Sequence, residues 1–76
     1  MSPRRADDLA RTFGANLKAI RNRRGLTQAD LAHLAKLDQT AISRIELGLR
    51  EPRLSTVISL AAALDVSGSE LIPGLR

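Results

Sequence analysis

Apolar positions recur along this chain with the spacing of helices that each bury one face. Leu9, Phe13, Leu17 and Ile20 fall at i, i+4, i+8 and i+11 and predict a first helix over Asp7–Arg24, stopped by Gly25. Asp7 and Asp8 sit at its positive dipole end, and Arg21, Arg23 and Arg24 at its negative end. The arginines fit dipole pairing and a phosphate-facing edge equally. Gly14 inside this helix predicts a local weakness of about 1 kcal/mol relative to alanine. Thr27 is a good N-cap for a second helix, Thr27–Ala35, in which Leu31, Leu34 and Ala35 share one face and Asp30 places an acid in the first turn. Asp38 is a second N-cap candidate. After it Ala41, Ile42 and Ile45 repeat the apolar pattern, with Gly48 as the stop. Only Ala35–Leu37 separates the two, which is room for a sharp turn, and two short helices so joined are a helix-turn-helix. Leu54, Val57, Ile58, Ala61 and Leu64 predict a fourth helix over Leu54–Leu64, whose usual cap is replaced by Arg53. Ser67 and Glu70 fit a capping box for a last short helix, about Gly68–Ile72, in which Leu71 completes the core. The expected fold is all-α, a compact domain of five helices over residues 7–76.

Composition changes this picture in two places. Hydrophobic residues are 43% of the chain and Phe13 is the one aromatic, so the core is aliphatic and thin, and a partner subunit is a natural source of further burial. Leu71, Ile72 and Leu75 make an apolar end that suits a two-fold dimer surface; folding back onto the chain's own core suits it as well. The net charge of +4 and the pI near 11.1 suit an anionic partner such as DNA. Met1–Ala6, with Arg4 and Arg5, has no apolar period and is expected to be a mobile basic arm, either touching DNA or serving as a frayed, solubilising terminus.

Other chemistry has little footing. There is no cysteine, so no disulfide and no thiolate metal site, which fits a reducing cytoplasm. The longest apolar run, Leu60–Leu64, is far short of a membrane span, and the start lacks a signal-like stretch. His33 is the one histidine, and no catalytic set, metal cluster or phosphate loop assembles around it. The expectation is no enzyme, no cofactor, no metal and no membrane.

The third helix carries the sharper signal. With Ala41, Ile42 and Ile45 inward, Gln39, Thr40, Ser43, Arg44 and Leu47 form its outward arc. Glutamine suits adenine, arginine suits guanine, and a threonine methyl suits the thymine methyl. An ordinary solvated helix face has the same residue types, and the arc alone does not decide between them.

The ordered set LTQADLA, then AISRIELG, then Pro52 resembles the Cro and lambda-repressor family of helix-turn-helix domains, the xenobiotic-response-element type, over roughly Phe13–Leu71. The resemblance implies a lambda-repressor-like fold and a homodimer that reads palindromic duplex DNA as a transcriptional regulator, repressor or activator, with RNA polymerase a partner in the second case. It implies base reading by Gln39, Thr40, Ser43 and Arg44. It places phosphates on Gln28 and Arg50; Thr27 beside Gln28 and Lys36 in the turn are further phosphate candidates of this chain's own. It also implies an ion pair between Arg21 and Glu46 that ties the first helix to the recognition helix. The small format resembles the controller proteins of restriction-modification systems; a phage or plasmid repressor, or an antitoxin, has the same look. The rival expectation is an antitoxin-like or adaptor protein-interaction module that kept the fold without DNA binding. Two departures stand out. Lys36 occupies the turn where the family commonly has glycine, which predicts a strained or altered turn. Leu47 and Leu49 flank Gly48 where polar or basic residues are usual; they cover core, touch thymine methyls or join a protein interface.

Overall fold

The computed structural model describes residues 3–72 as five helices: α1 Pro3–Arg23, α2 Gln28–Ala35, α3 Gln39–Glu46, α4 Leu54–Leu64 and α5 Gly68–Leu71. No strand occurs among the described residues. Helix α1 starts earlier than the apolar period alone predicts. Its backbone takes in residues 3–6, where the sequence pattern suggests a mobile arm, because proline suits a first helical turn and Arg4, Arg5 and Ala6 are good helix formers.

One core joins the helices. Leu17, Leu31, Ile42, Ile45, Leu60, Leu64 and Leu71 are fully buried in it, with Phe13, Ile20, Val57 and the alanines Ala32, Ala35 and Ala61 filling between them. Burying each large aliphatic side chain is worth about 1.5–3 kcal/mol, and these residues hold the helices together. Helix α3 packs against both α1 and α2, α4 against α2, and the short α5 bridges α4 and α1. Asn16 fastens that last helix: its side-chain amide donates to the carbonyls of Glu70 (2.6 Å) and Leu71 (3.0 Å).

Four helices end in the same way. A residue at positive φ follows each of them: Gly25, Lys36, Gly48 and Asp65. In each case the next amide reaches back five residues, Leu26 to Arg21, Leu37 to Ala32, Leu49 to Arg44 and Val66 to Ala61, at 2.9–3.2 Å. This is the Schellman arrangement, which satisfies carbonyls that the helix leaves orphaned. Lys36 therefore adopts the left-handed conformation (φ 57°, ψ 45°) despite its Cβ, and Asp65 does the same at φ 55°.

Several predicted faces are corrected by the structure. Leu9, Leu34, Leu54 and Ile58 are exposed, while Ala10, Ala32 and Leu60 take the inward positions. Ala41 is half-buried. Leu71 is 0% exposed and belongs to the chain's own core, so it offers nothing to a dimer surface; Leu75 lies outside the described residues. The expected box at Ser67 does not form, since Ser67 Oγ pairs with Ser69 Oγ at 2.9 Å instead. Asp38 likewise makes no capping bond from its side chain.

Candidate nucleic-acid interface

The candidate site is built on α3, and its orientation is fixed from the inner side. Ile42 and Ile45 are buried in the core, and beside them Glu46 is buried with Arg21 of α1. Arg21 Nε donates to Glu46 Oε2 at 2.6 Å and Arg21 Nη2 to Oε1 at 3.0 Å, a two-pronged pair with both side chains nearly excluded from solvent. Gln28 Nε2 donates to the same Oε1 at 3.0 Å, and Arg21 Nη1 donates to the Leu26 carbonyl at 2.7 Å. One carboxylate thus collects donors from α1 and α2 and holds α3 against both. The bond to Glu46 raises the Arg21 pKa above its usual value, although burial opposes it.

Gly14 allows α1 and α3 to cross this closely. A Cβ at Gly14 would stand 2.2 Å from the Ile45 carbonyl oxygen and 2.7 Å from that of Glu46. Nothing but hydrogen fits there.

With the inner side fixed, Gln39, Thr40 and Arg44 are exposed and Ser43 is half-buried, all four on the outward side of α3. Leu47 and Leu49, just past its end, are exposed as well.

The residues expected at phosphates fall into two groups. Lys36 and Arg50 are exposed and line one polar groove beside α3, together with Asp38, Ser55 and Thr56. Arg53 lines it too, a cation that the sequence pattern marks only as a missing cap. At the start of α4, Arg53 makes no side-chain capping bond. Thr27 and Gln28 are not among the residues lining this groove. Thr27 instead closes a reciprocal box with Asp30: the Asp30 amide donates to Thr27 Oγ1 at 3.0 Å, and the Thr27 amide donates to Asp30 Oδ2 at 2.9 Å. The bond from the Thr27 amide holds the Asp30 carboxyl below its ordinary pKa. Gln28 is half-buried and spends one amide hydrogen on Glu46, so it braces the helix pair in addition to any outward contact.

No group of histidines and carboxylates that could hold a metal ion occurs among the described residues, and none of the described helices is long and apolar enough to cross a membrane.

The helix-turn-helix family HTH_3 matches residues 17–71, and the chain belongs to it. The chain is 38% identical in sequence to the restriction-modification controller protein C.AhdI from Aeromonas hydrophila, whose crystal structure superposes with a TM-score of 0.81 over 86% of this chain and 97% of that one. It is 35% identical over 65 residues to the HTH-type transcriptional regulator y4dJ of Sinorhizobium fredii, covering 86% of this chain and 84% of that protein. The control protein C.SmaI of Serratia marcescens is also 35% identical over 65 residues, 86% of this chain and 77% of its own length.

Proposed function

We propose that the protein is a sequence-specific DNA-binding transcriptional regulator that acts as a homodimer on a palindromic operator. Its similarity to C.AhdI and C.SmaI favours a controller of a restriction-modification system. The observation that carries the proposal is the split of α3: one side is locked by Ile42, Ile45 and the Arg21–Glu46 pair, while the other offers Gln39, Thr40 and Arg44 uncovered, with Ser43 half-buried among them. Helix α3 enters the major groove, where Arg44 takes a guanine edge, Gln39 an adenine edge and Thr40 a thymine methyl. Lys36, Arg50 and Arg53, gathered at one groove, neutralise phosphates and set the register without reading sequence.

The dimer surface in this proposal lies along α4. Leu54 and Ile58 are one turn apart and 74% and 63% exposed. Beside them an apolar groove is lined by Leu9, Phe13, Pro52, Val57 and Ile72. Of the residues first expected at a dimer surface, Leu71 is taken up by the core and Ile72 lines this groove.

Selection of bound duplexes from a random DNA pool is the decisive experiment. The expected product is a two-fold symmetric sequence with half-sites about one helical turn apart. Recovery of unenriched sequence, with Arg44→Ala binding as the parent does, would instead favour a protein-interaction module.

A further inference from the structure

The four Schellman caps give an internal comparison. The hydrophobic residue just after the left-handed position ordinarily packs back on its helix or core. Leu26, Leu37 and Val66 do so. Leu49 holds the equivalent place after α3, with the same backbone bond (3.0 Å to Arg44), yet it is 73% exposed. The reason is chemical: the residues it would pack on, Ser43 and Arg44, belong to the outward polar row and not to an apolar stripe. Leu47, the cap residue itself, is 66% exposed. It follows Ser43 by four and Arg44 by three, so it continues their row, and a helical leucine leans back over the preceding turn.

We propose that Leu47, with Leu49 beside it, is a specificity-determining contact that recognises pyrimidine C5-methyl groups in the major groove. The inference rests on the DNA-binding function proposed above and adds a chemical class of determinant to it. A methyl at C5 is the one apolar feature the major groove presents, and an aliphatic side chain is its natural partner. The surroundings fit that occupant: Arg44 precedes the two leucines, Arg50 follows them, and cations on both sides suit the phosphates of a duplex. Neither leucine is among the residues lining the apolar groove of Leu9, Phe13 and Leu54, so they are not part of the candidate dimer surface.

The test uses the full chain and the operator recovered by selection. Each thymine is replaced in turn by deoxyuridine, which removes only the methyl, and affinity is read by fluorescence anisotropy. The expected result is about a fourfold loss per contacted methyl at one or two positions in each half-site, in keeping with the transfer of a single buried carbon. Leu47→Ala is expected to lose the discrimination between thymine and deoxyuridine at the positions Leu47 contacts, to keep it at the methyl assigned to Thr40, and to keep the parent's melting temperature. Uniform tolerance of deoxyuridine, or sensitivity undiminished at every position in Leu47→Ala, overturns the inference and leaves specific binding in place. An unchanged DNA profile with altered sedimentation of Leu47→Ala overturns it in favour of a protein contact. Absence of any preferred duplex overturns it together with the proposed function.

Discussion

At the scale of single residues, the ion pair under α3 is held by geometry that tolerates little change. Glu46 is buried and accepts from Arg21 and Gln28, so deleting Arg21 strands a carboxylate with one neutral donor. Arg21→Met or Glu46→Leu alone is expected to cost about 3–5 kcal/mol, close to the whole stability of a domain this small, while the double variant costs less than either. Urea unfolding of the three variants checks this, and additive losses would mean the two side chains act independently. Lys36 presents the opposite case. Its left-handed backbone carries a steric cost of about 1–2 kcal/mol that glycine lacks, so Lys36→Gly is expected to raise stability by about 1 kcal/mol after the looser unfolded chain is counted. The same variant removes a cation from the groove proposed to hold phosphates, and operator affinity should fall as stability rises. Asp30 brings a pH dependence. Its folded-state pKa is depressed below the free value of about 3.9, so its contribution is complete above that pH and disappears as the pH falls through the lower, folded value. Melting curves of the parent and Asp30→Asn should differ above about pH 4 and converge in stronger acid.

At the scale of elements, the crossing of α1 and α3 decides where the outward row of α3 stands. Gly14→Ala would ordinarily strengthen a helix by about 1 kcal/mol; here the added carbon meets two carbonyl oxygens, and a loss of about 1–3 kcal/mol is expected instead. Because α3 must shift to relieve the clash, operator affinity should fall even where the protein stays folded. Thermal melts and anisotropy on the same preparation separate the two effects. The α2–turn–α3 unit was legible in the sequence because its signals are local: the Thr27 cap, the i, i+3, i+4 spacing and the Gly48 stop all lie within the segment they define. The outward row was legible as the complement of the buried one. Helix α4 was legible in its bounds but not in its face. Leu54 and Ile58 share helical spacing with Val57, Ala61 and Leu64, and hydrophobicity does not separate a core position from an exposed one. The need for Gly14, the bond from Gln28 to Glu46 and the place of Arg53 in the groove all depend on how separate helices meet, which no single segment encodes.

At the scale of the whole molecule, the pairing proposed for the exposed side of α4 would tie stability to assembly. A chain of 76 residues with one aromatic side chain has a thin core, and it leaves Leu54 and Ile58 in water beside an apolar groove that Ile72 and Leu9 also line. Pairing two copies through this surface buries it twice over and presents two copies of α3 to one duplex. The melting temperature should then rise with protein concentration, because the folded dimer is favoured by mass action and the unfolded chain is not. Ile58→Asp places a charge in the middle of that surface without touching the core, since Ile58 is exposed in the single chain. The variant is expected to remain helical by circular dichroism, to sediment as a monomer and to lose the concentration dependence of melting. Its operator affinity should fall by about 100-fold or more, the loss of linked binding at two half-sites, while its affinity for an isolated half-site stays near the parent's. If Ile58→Asp sediments and binds the palindrome as the parent does, the two-fold contact lies elsewhere on the chain and α4 is an ordinary exposed helix.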